Sequence, residues 1–559
     1  MAFLTAALAL SACTPGSPAG GGDATPGGAP ASSAPGPTAA SEPERTSWGP
    51  LVGDVRAARA AVAEMSLPEK TGQVFVDYYT GTDPAAELAT ARRLHLGGVI
   101  VMGDNVPLAR GGDADGGAAG AGAAGGASGV DTKALARVTA RFQKELSAGR
   151  DWPGIVSVDQ EGGTVARLKS PLTEWPTPMA FGAAGDAELT ERAQRAMDAE
   201  LAGLGFTVNF SPDADVTIGP ADPVIGARSF SSDPESAADH TVAAVRGALA
   251  AGVLPAVKHF PGHGSVTTDS HVGLPVQDAG VEELRGRDWV PFERSIEAGA
   301  PMVMLGHIAV DALEPGVPSS LSAASYKALR GLGFEGVAVT DALNMGAVEQ
   351  SAPGGGAAVE ALAAGADLLL MPTGVAEAHA AVVAAVESGE VPESRLDQAA
   401  ARVVAMMMWQ GRMAEDAGDA LPGDGADTAL AAARASVTVV SGECSGPLVG
   451  DGIRIVGGTA ADRDRLGAAA RDAGLGVGSG TLVTLLGGSH TPGSGDVVVA
   501  LDAPWGLAAS SAQTRIALYG RAPESFEALV DVLLGDEPAP GTLPADVGDF
   551  PAGTGCGFS

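Results

Sequence analysis

The run Val-Leu-Pro-Ala-Val at residues 253–257 leads directly into Lys-His-Phe-Pro-Gly-His-Gly-Ser-Val-Thr-Thr-Asp-Ser-His at residues 258–271. The apolar run has the length and composition of a buried β-strand, and the Pro-Gly pair after it predicts a sharp loop. The loop ends in Asp269 and His271, and a carboxylate at that spacing can fix the tautomer of an imidazole and raise its basicity. The stretch therefore predicts a strand that places a proton-transfer group beyond its carboxyl end.

Several side chains of this loop are also of the types that bind metals, namely His259, His263, Asp269 and His271. In the common zinc motif two histidines lie four residues apart on a helix, and the Pro-Gly pair between His259 and His263 is incompatible with that helix. A loop of purely structural histidines is the other alternative. We expect no metal site and no cofactor.

The rest of the chain repeats one unit, which consists of a short run rich in Val, Ile and Leu, a loop with Gly or Asp, and an Ala-rich helical pattern. Eight such runs are predicted strands, at residues 73–76, 98–102, 154–158, 207–210, 254–257, 302–305, 336–339 and 367–371. Strands that alternate with helices pair in parallel, and eight of them close a barrel. A doubly wound open sheet is the alternative, but no Gly-x-Gly-x-x-Gly pattern opens the first unit.

The predicted fold class is therefore α/β, with a (β/α)8 TIM-type barrel at residues 47–415 and a smaller α/β C-terminal domain at 428–559. The second domain follows a joint rich in Gly and Asp and has strand-like runs at 453–456 and 497–500. Residues 111–129 are almost wholly Gly and Ala, and we expect a low-complexity insert in the loop after the second strand.

The N-terminal segment has a different composition. An apolar run at residues 3–10 is too short to span a bilayer and ends in Leu-Ser-Ala-Cys, which resembles the bacterial lipoprotein signal. The resemblance implies a signal peptide at 1–13 and a lipid on Cys13. Residues 14–46 are mostly Pro, Gly, Ala and Ser, which predicts a disordered tether.

We thus expect an exported protein that a lipid anchors to the outer face of the cell membrane. That compartment is oxidising, and Cys444 and Cys556 are the cysteines left after lipidation of Cys13, so we predict a disulfide between them.

The net charge of −33 and the pI near 4.5 argue against nucleic acid as a partner. We expect a monomer.

Polar residues recur at the carboxyl ends of the predicted strands, where barrel active sites are built. They are Asp159 and Glu161 after the third strand, Asn209, Asp213 and Asp215 at the fourth, Lys258 and His259 at the fifth, His307 at the sixth and Asp341 at the seventh. A helix N-cap would explain any one of them alone. Their recurrence predicts one shared site.

The motifs that carry these residues resemble glycoside hydrolase family 3, specifically its β-N-acetylglucosaminidase branch, which is active in peptidoglycan turnover. The matching pieces, spread over about residues 65–409, are 159–163 with Arg167, 209–212 with Asp215, 227–230, 258–271, 320–322 and 340–345. The resemblance implies that Asp341 is the nucleophile and that His271, oriented by Asp269, is the acid/base. It also implies that the sugar is held by Asp159, Arg167, Arg228, Lys258 and His259. For the C-terminal domain it implies a reduced, mostly structural unit.

The expected function is that of a retaining exo-β-N-acetylglucosaminidase, which removes terminal GlcNAc from β-linked glycans such as muropeptides through a covalent glycosyl-aspartate intermediate. Such an enzyme needs a carboxylate nucleophile and a second group that protonates the leaving oxygen and later deprotonates water. An imidazole can do this because it titrates near neutral pH. A phosphorylase that uses the same residues, a β-glucosidase of the same family and a non-catalytic surface sugar-binding lipoprotein are the alternatives.

Overall fold

The computed structural model describes residues 44–109, 129–349, 352, 355–418 and 420–556. The predicted signal at 1–13 with its Cys13, the tether up to residue 43 and the insert up to residue 128 lie outside the described residues. In the described part of the chain, no helix has both the length and the apolar character needed to cross a membrane.

Eight parallel strands form the first sheet, and each falls on one of the predicted runs. They are β1 (Phe75–Asp77), β2 (Gly98–Ile100), β3 (Ile155–Val158), β4 (Val208–Asn209), β5 (Leu254–Phe260), β6 (Met302–Leu305), β7 (Val337–Thr340) and β8 (Leu369–Leu370). The strands pair in chain order from β1 to β7, and β8 pairs with β1. A parallel bridge between Val339 and Leu368 joins β7 to the start of β8 and closes the ring. The predicted barrel is thus confirmed.

Helices surround this barrel. They are α1 (Val52–Ala63), α2 (Leu67–Gln73), α3 (Ala85–Leu94), α4 (Thr132–Leu146), α5 (Pro178–Ala184), α6 (Ala187–Gly203), α7 (Pro234–Ala250), α8 (Val281–Gly286), α9 (Val290–Glu297), α10 (Ala323–Gly331), α11 (Gly346–Glu349), α12 (Gly356–Ala364), α13 (Val375–Ser388) and α14 (Glu393–Asp416). In α4, Leu135, Val138, Phe142 and Leu146 are buried at helical spacing, so one face packs on the barrel. Helix α2 begins with a capping box, in which the Ser66 N–H donates to Glu69 Oε2 at 2.8 Å.

Strand β5 is longer than its apolar run, and the prediction that it ends at Val257 was wrong. Lys258 and His259 belong to the strand because the chain just after β4 continues alongside it. The Lys258 N–H donates to Pro212 O at 3.2 Å, and Lys258 O accepts the Ala214 N–H at 2.6 Å. Two polar side chains are therefore held on buried strand backbone at the carboxyl end of the barrel, where the register against β6 shifts between Val257 and Phe260.

The C-terminal region forms a second sheet. Its strands are β9 (Thr438–Ser441), β10 (Gly452–Gly457), β11 (Gly476–Val477), β12 (Thr481–Leu485), β13 (Val497–Ala500) and β14 (Thr514–Ala517). They are ordered β9-β14-β13-β12-β10-β11, and all pairs are parallel except β9 with β14. Helices α15 (Ala426–Ser436), α16 (Ala460–Asp472) and α17 (Pro523–Leu534) accompany it. The smaller α/β unit is confirmed, whereas the boundaries at 415 and 428 stay predictions.

Cys444 and Cys556 form a disulfide with a Cα–Cα distance of 5.4 Å, which confirms the predicted pair.

The second sheet contacts barrel loops through main-chain acceptors. Thr177 donates its N–H and its hydroxyl to Tyr519 O at 2.8 and 2.9 Å, and the Ser231 hydroxyl donates to Pro544 O at 2.9 Å. The described residues accordingly form one unit.

Candidate active site

A cavity of about 280 Å³ lies at the carboxyl ends of the barrel strands. Among its lining residues are seven of the eight predicted catalytic and sugar-binding residues, namely Asp159, Arg167, Arg228, Lys258, His259, His271 and Asp341. Asp269 contacts His271 and is the exception. All of the described lining residues come from the barrel.

Asp341 directly follows β7. Its main-chain N–H donates to Leu305 O at 2.9 Å, and its Oδ1 accepts the Ala342 N–H at 2.7 Å, so the carboxylate has a fixed position. Burial alone would raise the pKa of Asp341. The nearby His307 and His259, together with the Ala342 amide, outweigh burial and lower that pKa to about 2. Asp341 is thus an anion at neutral pH.

His307, at the end of β6, supports the residue after Asp341. Its Nε2 lies 2.8 Å from Ala342 O, a pure acceptor, so Nε2 carries the proton. Its Nδ1 lies 2.7 Å from the Ser320 hydroxyl, which therefore donates to it. The sequence placed His307 at a strand end without a role, and the structure shows that it fixes the backbone beside Asp341.

A buried carboxylate, that of Glu161, joins two of the predicted sugar-binding cations. Its oxygens lie 2.8 and 2.9 Å from Nε and Nη2 of Arg228, and Oε1 lies 2.6 Å from Nζ of Lys258. Burial opposes ionisation of Glu161, but Arg228 and Lys258 outweigh it and hold its pKa well below the usual range. Asp159 extends the network, because its Oδ1 lies 3.1 Å from Lys258 Nζ and its Oδ2 lies 3.3 Å from Arg167 Nη2.

Asp215 orients His259. Its Oδ2 lies 2.8 Å from His259 Nδ1 and 3.2 Å from the His259 N–H, and its Oδ1 accepts the His263 N–H at 2.5 Å. Burial, reinforced by Arg228, lowers the pKa of His259 to about 4, so the ring is neutral at pH 7. The proton lies on Nδ1, facing the carboxylate, and Nε2 is left as an acceptor.

Asp213, Asp215 and His259 lie close enough together to hold a cation. However, both oxygens of Asp215 already accept N–H groups, and Arg228 Nη2 lies 3.3 Å from Asp213 Oδ2. A guanidinium at that distance would repel a metal ion. Burial raises the pKa of both carboxyls, and repulsion from Asp215 raises that of Asp213 further. The three side chains are therefore already held by contacts within the protein.

The predicted dyad lies at the rim of the cavity. His271 Nδ1 and the His271 N–H each lie 2.8 Å from Asp269 Oδ1, and the side chains are 64% and 40% exposed for His271 and Asp269. Burial opposes ionisation of Asp269, but the two hydrogen bonds from His271 outweigh it and lower the carboxyl pKa. An imidazole held in this way can exchange protons with bound groups and with water.

Comparisons with known proteins identify the family of this chain. The sequence profile described as the glycosyl hydrolase family 3 N terminal domain matches residues 67–406. Beta-hexosaminidase LpqI of Mycobacterium tuberculosis is 34% identical over 423 residues, which are 73% of this chain and 96% of that protein. Beta-hexosaminidase A of Pseudoalteromonas piscicida is 36% identical over 279 residues, or 45% of this chain, and the match spans only 46% of that relative.

Among solved structures, a glycoside hydrolase family 3 beta-N-acetylglucosaminidase from Paenibacillus sp. aligns with a TM-score of 0.74 at 29% identity. The alignment covers 87% of this chain and 99% of that one, and so includes both sheets. The sequence profile covers more than half of the chain, from α2 into α14. The chain therefore belongs to glycosyl hydrolase family 3.

Proposed function

We propose that this protein is a retaining exo-β-N-acetylglucosaminidase, which removes terminal GlcNAc from β-linked glycans, in particular from muropeptides. The observation that carries the proposal is a single cavity in which an anionic Asp341 lies with three cationic side chains and with His271 at the rim. The relatives named beta-hexosaminidase support the sugar and the reaction.

In this mechanism the Asp341 carboxylate attacks C1 of the sugar, and the bond from C1 to the leaving oxygen breaks. His271 donates its proton to that oxygen, and Asp269 stabilises the imidazolium before transfer. His271 then takes a proton from water, whose oxygen attacks C1 and releases Asp341. The exposure of His271 gives the leaving group and water access to the same imidazole.

The remaining polar groups suit a sugar ring. Arg167, Arg228 and Lys258 are donors, whereas Asp159 and Nε2 of His259 accept hydrogen bonds from hydroxyl or amide groups. Because ion pairs and hydrogen bonds already fix most of them, little ordering is needed on binding, and binding energy is available for the transition state. The packed interior of a barrel closes the cavity below, which suits removal of one terminal residue.

Turnover of aryl β-N-acetylglucosaminide compared with aryl β-glucoside tests the proposal. We expect kcat/KM to be at least about 100-fold higher for the first substrate, since a site that hydrogen-bonds the acetamido group loses those bonds with glucose. Preference for the glucoside would favour the β-glucosidase alternative. Tight binding without turnover would favour a non-catalytic sugar-binding protein.

Hydrolysis is the expected main reaction even when phosphate is present. A carboxylate as acid/base would repel phosphate, and a neutral His271 does not, so phosphorolysis is chemically possible at this site. Water, however, is in vast excess for an exported enzyme. Product analysis at millimolar phosphate should give free GlcNAc, and GlcNAc 1-phosphate as the dominant product would instead identify a phosphorylase.

We also infer that a lipid on Cys13 anchors the exported, monomeric protein to the outer face of the cell membrane. The lipoprotein-like sequence at residues 10–13 and the Cys444–Cys556 disulfide, which suits an oxidising compartment, support this inference. Mass spectrometry of the membrane fraction should find a diacylglycerol-modified Cys13 at the mature N-terminus. An unmodified Cys13 in protein released from cells would contradict it.

A further inference from the structure

The Asp269/His271 dyad is exposed, but the residue between its two members is buried. Ser270 is only 2% exposed, and its hydroxyl lies 2.9 Å from Nε2 of His263, which is also 2% exposed. Both residues line the active-site cavity. One buried hydrogen bond therefore fixes the centre of an otherwise exposed Asp-Ser-His segment.

His263 is itself held firmly. Its main-chain N–H donates to Asp215 Oδ1 at 2.5 Å, and Asp215 Oδ2 lies 2.8 Å from Nδ1 of His259. The His263 ring meets the His259 ring edge-on, with 5.8 Å between centroids. A continuous series of contacts thus runs from the sugar-binding His259 through Asp215 and His263 to Ser270, the neighbour of His271.

The loop has few other attachments near the dyad. In the described part of the chain, the other hydrogen bonds of residues 267–274 run within that segment, between Asp269 and residues 271–273. Val272, just after the dyad, is 76% exposed. Loss of the Ser270–His263 bond would thus free the dyad to move relative to the cavity.

His263 also carries a cost that an apolar ring would avoid. Its Nδ1 is buried and has no hydrogen-bond partner among the described residues. A buried polar atom without a partner destabilises the folded state, whereas a phenyl ring of similar size would not carry that penalty. The polar contact that this histidine adds is the bond between its Nε2 and the buried Ser270 hydroxyl.

We propose that His263 and Ser270 form a clamp that positions the Asp269/His271 dyad over the cavity, so that His271 reaches the leaving oxygen. The clamp rests on the proposed acid/base role of His271. Both clamp residues are positioning residues, since they act through the dyad and leave the reacting atoms to Asp341 and His271.

The test measures how kcat/KM depends on the leaving group. A 2,4-dinitrophenyl β-N-acetylglucosaminide needs little protonation, whereas chitobiose has an alkoxide leaving group that requires an acid. For Ser270→Ala and His263→Phe we expect kcat/KM to fall about 10- to 100-fold on chitobiose and less than about 3-fold on the activated substrate. The double variant should lose no more than the worse single variant, because both remove one bond.

The reference variant is His271→Ala, and Ser265→Ala is the matched control. Ser265 lies in the same loop, but its hydroxyl accepts from Gln277 Nε2 at 2.6 Å and not from the clamp, so its leaving-group dependence should match wild type. The melting temperature of His263→Phe should stay close to that of wild type, because the substitution removes the unpaired Nδ1 but leaves the buried Ser270 hydroxyl without its partner. This separates lost positioning from lost folding.

The outcomes distinguish the two claims. The clamp is refuted if His271→Ala loses more kcat/KM on chitobiose than on the activated substrate but Ser270→Ala and His263→Phe do not. The proposed function then stands. If His271→Ala shows no such dependence, the acid/base assignment fails, and the clamp fails with it. If the fold-losses in kcat/KM of the two single variants multiply in the double variant, the two residues do not act through one shared bond, and the clamp is refuted.

Discussion

The Asp341→Asn variant is expected to lose at least about three orders of magnitude in kcat on aryl β-N-acetylglucosaminides, as removal of a nucleophile generally does. Asparagine keeps the size of the side chain and can still accept the Ala342 N–H, so the local backbone should stay in place. Its amide cannot form the glycosyl ester. The loss should therefore appear in turnover and not in folding or in sugar binding.

Asp198→Asn is the control, because Asp198 is a fully buried aspartate that hydrogen-bonds Gln194 and Asn209 outside the cavity. It should keep activity within about 3-fold, a typical result for a site without contact to substrate. Trapping with a fluorinated GlcNAc donor should add one sugar to the Asp341 peptide of the wild type. Retention of a tenth of wild-type turnover by Asp341→Asn would rule out the nucleophile assignment.

The barrel could be predicted because its strands are buried on both faces and are therefore continuous apolar runs. The error at β5 has a physical reason. Lys258 and His259 are polar, and polarity usually marks the end of a buried strand. Inside the protein the charge of Lys258 is compensated by Glu161 and Asp159, and the ring of His259 is hydrogen-bonded by Asp215. These partners are remote in sequence.

The site could be predicted in outline, since the carboxyl ends of parallel barrel strands meet at one place. The sequence also placed Glu161, Asp215 and His307 at strand ends, but it could not give them roles. Glu161 is 67 residues from Arg228, and only folding shows that its two oxygens face that guanidinium. The catalytic and binding roles of the predicted residues stay predictions until variants are measured.

The Glu161→Gln variant tests whether this carboxylate holds the cations of the site in place. The substitution keeps the shape but leaves Arg228 and Lys258 buried with less compensating charge. Loss of one partner from a buried ion pair typically costs about 3–5 kcal/mol, and we expect about 3 kcal/mol because Asp213 and Asp159 still face the two cations. We also expect kcat/KM to fall at least about 10-fold, since both cations are predicted to bind the sugar.

The stability that Glu161 contributes depends on pH, and its direction of change follows from the pKa. The folded-state pKa of Glu161 lies below its ordinary value of 4.5, so its contribution to stability is complete above that pH and is lost as pH falls towards the folded-state pKa. The difference in urea midpoint between wild type and Glu161→Gln should thus be largest from pH 5.5 to 7 and should shrink below pH 4.5. Glu174→Gln is the control, because Glu174 pairs with the partly exposed Arg465 at 2.9 Å and should cost less than about 1 kcal/mol. Equal midpoints for wild type and Glu161→Gln at pH 7, or a gap that widens on acidification, would show that the carboxylate does not stabilise the cation pair.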